Sequence, residues 1–383
     1  MLPEGWIKCS VQDMGAVHAG RQRSPGFTEG SLRPYLRVAN VFDGWIDYSD
    51  VNAMTFTDAE FERYKLGPGD VLLNEGQSLE LVGRAALFRG AAETYCFQNT
   101  LVRFTPSPRV LPEFAELKFQ QCLYDGTFQG IAKKTTSIAH LGVSRFAGLE
   151  LIWPPVEEQR MIVEALHVWS MAISSTEKLL ENCRRLKDAI ATRLLRTKPI
   201  WTTASFNELY QVSNRKEAQV PTTDYLSRGT LPIVDQGQRP IAGYTDDDSI
   251  CVDPPMIVFG DHTRAVKWVD FRFRPGADGT QLLCAAPHIH PKFAYHLLAN
   301  APVPNLGYSR HMSLLKQMEF SLPREMVEQA WIAEQLDLAD QAAQSAKLQI
   351  ACLKLEKRAL MQDLLTGKRR VRLPNAVTEQ EAA

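Results

Sequence analysis

Two stretches of the chain carry apolar residues at alternating steps of four and three. The first runs through Ile162, Leu166, Trp169, Ile173, Thr176, Leu180, Cys183, Lys187, Ile190 and Leu194. The second runs through Ile332, Leu336, Ala339, Ala343, Ala346, Ile350, Leu353, Lys357, Leu360 and Leu364. A 3.5-residue period is the seam of a coiled coil, so each stretch predicts a long helix that needs a partner. Pro154, Pro155 and Pro323 disfavour helical geometry just before them, and Pro199 and Gly367 stand where a helix should stop. At about 1.5 Å per residue the first seam makes a rod of roughly 50 Å.

The two stretches are copies. Adding 170 to each position aligns them without a gap: Glu158 meets Glu328, Gln159 meets Gln329, Lys187 meets Lys357, and Leu194-Leu195 meets Leu364-Leu365. The chain therefore contains one module twice, and each seam is the natural partner of the other. The lysine at one seam position of both copies either snorkels to solvent or a carboxylate, or fixes register.

Outside the helices the pattern shortens to strand-like apolar runs bounded by Gly and Pro. "LRPYLRVANV", "GPGDVLLNEG" and "LVGRAALFRG" occupy the first block; "LPIVDQGQRPIAGY", "MIVFGDHT" and "AVKWVDFRF" occupy the second. A helix near Leu111 to Tyr124 and a shorter one near Lys292 to Leu298 complete them. The expected fold class is α+β: two pseudo-repeated domains of mixed strands and short helices, separated by two long antiparallel helices forming a coiled coil. The expected boundaries are 1–153 for the first domain, 154–198 for the first helix, 199–322 for the second domain, 323–367 for the second helix, and 368–383 for a basic then polar tail.

Composition narrows the functional classes. A chain of 383 residues with 45% hydrophobic and 23% charged residues fits two or three soluble domains. No apolar run is long enough for a membrane helix and the N-terminus lacks a signal-peptide pattern, so a cytoplasmic location is expected. Seven scattered cysteines without a C-x-x-C pair argue against disulfides and zinc. His288, His290 and His296 cluster without a cysteine or nearby carboxylate, so no metal is expected. A phosphate-binding loop is also missing, which removes ATP binding by that route. The net charge of -1 gives no global basic field, so any nucleic-acid contact must be local.

Several phrases in order resemble one family. "LPEGWIKCSVQDM", "PYLRVANVFDGWIDYSDV", "LGPGDVLLNEGQSLELVGRAALFRG", "FQNTLVRFTP" and "GIAKKTTSIAHLGVSRFAGLELIWPPVEEQ" in the first half, with "GQRPIAGYTDD", "IVFGDHTRAVKW" and "EKRALMQDLLTGKRRV" in the second, look like the specificity subunit of type I restriction-modification systems. The resemblance implies a non-catalytic subunit whose two target recognition domains each read one half of a split double-stranded DNA site. It also implies that the paired helices set the spacer and dock two adenine methyltransferase subunits, which restriction and translocase subunits can join. Cofactors would lie in the partners: S-adenosylmethionine in the methyltransferase, ATP in a nuclease. A recognition or scaffold subunit of a related phage-defence complex is a second form of the same reading.

Base edges are read mainly by Arg, Lys, Asn, Gln, Ser and Thr, and phosphates are held by basic and hydroxyl groups. The densest such stretch in the first block is "AKKTTSIAH", with Lys133, Lys134, Thr135, Thr136, Ser137 and His140. "LGYSRHMS" takes the corresponding place in the second, with Tyr308, Ser309, Arg310 and His311. Further candidates are Asn74, Gln77 and Ser78; Gln236, Gln238 and Arg239; His262, Thr263 and Arg264; and Arg37 with Asn40. For each, a solvated or hydrogen-bonded turn is the alternative reading. "GKRRVR", Lys368 to Arg372, could hold phosphates.

One triplet points elsewhere. Asp253-Pro254-Pro255 looks like the start of the Asp/Asn-Pro-Pro-aromatic grip of N-methyltransferases on a flipped base, which would make the chain a self-contained enzyme. Met256 stands in the aromatic position. Two prolines opening a strand explain the triplet as well.

Overall fold

The computed structural model describes residues 2–24, 26, 28–135, 137–307 and 309–371. The chain divides into two compact units: Met1–Ser175 with Ile350–Ala383, and Thr176–Gln349. The long helices, Val156–Leu194 and Met326–Leu365, are each continuous and each contribute to both units.

The first unit is built on a four-stranded antiparallel sheet in the order Gly15–Ala19, Leu101–Pro106, Val71–Asn74, Ala85–Leu87. A three-stranded sheet centres Ser31–Leu36 between Asn52–Phe56, antiparallel, and Cys96–Phe97, parallel. The chain enters and leaves through the pair Ile7–Ser10 and Glu150–Trp153. Helix Pro112–Tyr124 packs on the larger sheet, its Phe119 ring edge-on to Phe104 and Phe146 at 5.1 Å each. Ile162 and Leu166 from the start of the first long helix, and Met361, Leu364 and Leu365 from the end of the second, belong to this same core.

The second unit repeats the plan. Its larger sheet runs Tyr210–Val212, Thr280–Ala285, Met256–Gly260, Val266–Val269; its smaller one centres Leu231–Val234 between antiparallel Gly243–Thr245 and parallel Arg274–Pro275. Entry and exit again pair, Thr202–Ser205 with Glu319–Leu322. Helix Pro291–Ala299 takes the place of Pro112–Tyr124. Here the core takes Ala191 from the end of the first long helix and Ile332, Ala333 and Leu336 from the start of the second. In each unit a helix start thus meets a helix end, which makes the two helices antiparallel.

No predicted seam position is exposed in either helix, whereas intervening positions such as Glu164, His167, Glu334 and Lys347 are. The repeated glutamine explains how the helices are seated. Gln159 accepts from the Leu111 amide at 2.9 Å and donates to the carbonyls of Arg109 and Pro154. Gln329 accepts from the His290 amide at 2.8 Å and donates to the Pro323 carbonyl. The repeated glutamate receives an indole: Trp6 donates to Glu158 at 2.9 Å and Trp201 to Glu328 at 3.4 Å. Arg370 closes the first latch and Lys198 the second.

Asp253-Pro254-Pro255 leads into the strand Met256–Gly260. Met256 is buried in the second unit's core with Val252 and Phe273, and the exposed Asp253 pairs with Arg272. The histidines do not converge either: His290 caps the N-terminus of its helix, His296 is buried against Asp337, and His288 is exposed. No group of three or more metal-ligating side chains forms among the described residues. Nor is any described helix long and apolar enough to cross a membrane.

Candidate nucleic-acid interface

The scattered candidates of each block come together in space. In the second unit the central strand of the larger sheet ends at Gly260, which pairs with Thr280, and the loop Asp261 to Arg264 follows. Gln236 holds that loop to its own: its Oε1 accepts from the His262 amide at 3.2 Å, and its carbonyl accepts from the Thr263 hydroxyl. Residue 260 must be glycine for this, because a Cβ there would stand 2.6 Å from the Gln236 carbonyl and 2.2 Å from the Thr263 hydroxyl. A third loop joins through Asp261, whose carbonyl accepts from both the amide and Nδ1 of His311 and whose carboxylate accepts from the Met312 amide. Arg264, at φ 61°, sends Nη1 to the Val303 carbonyl at 2.9 Å.

The first unit uses the same positions with different chemistry. Asn74 pairs with Leu101 as Gly260 pairs with Thr280, so Glu75 and Asp261 are equivalent. The Glu75 carbonyl accepts from the Leu141 amide, and its carboxylate meets His140 Nδ1 at 2.9 Å. Gly76–Gln77 then pair with Ala139–His140, which pair with Lys133–Lys134 in a small sheet. Arg145 fastens this sheet by donating to the carbonyls of His140 and Ile131.

These bonds sort the candidates into holders and exposed groups. His311, Asn74 and Asn40, expected as DNA contacts, are buried: the His311 ring nitrogens meet the Asp261 carbonyl and the Leu306 amide, and Asn74 donates to the Val41 carbonyl. Asn40 accepts from the Arg37 amide and donates to the carbonyls of Asp47 and Asp50, closing a hairpin, while Arg37 pairs with Asp50 at 2.6 Å. Thr135 donates to the Ile138 carbonyl and stays exposed. Gln77, Ser78, Gln236, His140 and the 262–264 side chains are half-buried. Lys133, Lys134 and Ser137 in the first unit, and Gln238, Arg239, Ser309 and Arg310 in the second, face outward. Thr136, Tyr308 and the tail from Arg372 lie outside the described residues.

Sequence reasoning missed the acids that hold these loops, Glu75 and Asp261, and the lysine beneath one of them. Lys267, on the strand Val266–Val269, donates to the carbonyls of Asp235 at 2.8 Å and Arg239 at 2.6 Å. Burial lowers its ammonium below the usual lysine value, with the Asp235 carboxylate opposing the shift. A basic residue in an otherwise apolar strand was the available signal.

No family model matches the chain. It is 21% identical to a protein of Methanocaldococcus jannaschii assigned as a type I restriction enzyme MjaX specificity subunit, over 97% of this chain and 95% of that one. It is 26% identical to the type I restriction enzyme EcoKI specificity subunit of Escherichia coli over 155 residues, 40% of this chain and 33% of that protein. Among solved structures, the type I restriction-modification S subunit of M. genitalium matches with a TM-score of 0.56 at 14% identity, covering 95% of this chain and 98% of the other. A chain from a study of complex assembly and conformational transition of the type I R-M system matches with a TM-score of 0.60 at 15% identity, covering 96% and 100%.

Proposed function

We infer that the chain is the sequence-specific DNA-recognition subunit of a type I restriction-modification complex. The observation that carries this reading is the same loop cluster built twice, at the same edge of the same sheet, on domains that share one helix pair. One α+β unit with a polar loop cluster would be compatible with many functions. Two copies on shared helices fit a site in two parts.

The two clusters carry the chemistry of groove reading and of phosphate holding. Gln238 carries the donor and acceptor pair that matches the adenine edge, and Arg239 and Arg310 carry the fork that matches guanine. Lys133 and Lys134 supply phosphate-holding charge, which the near-neutral whole chain does not. The loops differ between units, so the two half-sites are expected to differ.

The methyltransferase and nuclease activities belong to partner subunits, with S-adenosylmethionine and ATP bound there. The outer faces of the helices suit docking of two adenine methyltransferase subunits: Leu179 and Leu186, seven residues apart, are exposed, as are Leu348 and Leu355. Exposed leucines at heptad spacing beside a filled seam are what a further helix would cover.

The test is methyl transfer from labelled S-adenosylmethionine to genomic DNA, by the chain alone and with its cognate methyltransferase subunit. Transfer only with the partner, mapped to adenines in a two-part sequence, is expected. Transfer by the chain alone, or to a continuous short site, would overturn the reading.

A further inference from the structure

We propose that Lys267 is the positioning residue of the second unit's reading loop, Gln236 to Arg239, so that base discrimination in one half-site depends on a side chain that touches no base. This rests on the reading that the loop faces DNA.

The loop has no regular structure and carries Gln238 and Arg239 outward. What holds it in one shape is below it. The Lys267 ammonium has three donors; one goes to the Asp235 carbonyl at 2.8 Å and another to the Arg239 carbonyl at 2.6 Å, the two ends of the loop. The Asp235 carboxylate lies 3.6 Å from the same nitrogen and also accepts from the Gly237 amide at 2.8 Å, so charge and turn are joined. The Lys267 side chain is 11% exposed and its backbone is fixed in register opposite Val258. The clamp therefore stands on the sheet, and loop position is transmitted to the two side chains that would read bases.

The first unit does not use this device. Ala86, opposite Leu72, holds the register position of Lys267, and Asn40 closes the corresponding loop instead. The proposal consequently predicts an effect confined to one half of the recognised site, and the other half is an internal control.

The full chain is combined with its cognate methyltransferase subunit, S-adenosylmethionine and unmethylated genomic DNA, and methylated adenines are mapped by sequencing for wild type, Lys267→Met and Lys267→Arg. Methionine keeps the stem and removes the donors; arginine restores donors and charge. For Lys267→Met, the first half-site and spacer should stay unchanged. One or two positions of the second should become degenerate, with discrimination falling about tenfold or more, and Lys267→Arg should recover most of it. An unaltered motif, equal degeneracy in both halves, or loss of all methylation in Lys267→Met would overturn the proposal, the last because it would mark a general structural role. A wild-type complex that yields no two-part motif would instead defeat the functional reading beneath it.

Discussion

Lys187 of the first long helix lies 2.5 Å from Asp340 of the second, so an ammonium in a mostly apolar seam is matched by a carboxylate at one register only. Both side chains are about one-third exposed, which limits what the pair contributes. A double-mutant cycle on Lys187→Met and Asp340→Ala, followed by chemical denaturation of the full chain, should give a coupling of about 0.5–1 kcal/mol that weakens in high salt. Zero coupling would remove the pair from the account of register.

Its repeat-mate Lys357 is in a different position. Burial lowers its ammonium, and the nearby carboxylates of Glu116 and Asp43 offset that only in part. Lys357→Met removes a charge that burial disfavours more than its carboxylate neighbours favour it, so the first unit should be as stable as the wild type or slightly more so. A loss of stability would show that its charge is needed.

Gln159 is fully buried and its amide satisfies the helix start, the preceding loop and the base of helix Pro112–Tyr124 at once. Gln159→Ala leaves those backbone groups without partners and should cost about 2–3 kcal/mol. Denaturation midpoints of the wild type and variant check it. A cost below about 0.5 kcal/mol would mean that water replaces the side chain.

The second unit should weaken on mild acidification. His296 is 1% exposed and burial lowers its pKa from 6.5, although Asp337 at 2.8 Å acts the other way. A base whose folded pKa is depressed binds fewer protons folded than unfolded, so its contribution is present above pH 6.5 and is lost as pH falls towards the folded value. Thermal melts at pH 7 and pH 5 should show a smaller drop for His296→Gln than for wild type. An equal drop would place the acid sensitivity elsewhere.

The helical part of the fold was readable because a helix pair repeats its burial every three or four residues, and Glu158, Gln159 and Lys187 reappear 170 residues on. The loop clusters were readable as polar stretches between Gly-bounded strands. What could not be read was which polar groups turn inward. Asn74 and Gln77 sit three residues apart in one phrase, yet Asn74 is wholly buried and Gln77 is only half covered. Lys267 stands out in the sequence only as a basic residue in an apolar strand, and its role is set when the fold brings both ends of the 235–239 loop over it.

The paired helices supply the most direct test of the central claim, that two base-reading units share one helical spacer. Seven residues are inserted into each helix, near Ser175 and near Ile350, keeping the seam in phase, and the methylated sites of the reconstituted complex are mapped. Seven residues add about 10 Å of helix, the length of roughly 3 base pairs. Both half-sites should keep their sequences while the spacer between them lengthens by about that amount. A spacer unchanged in a complex that still methylates would contradict the account.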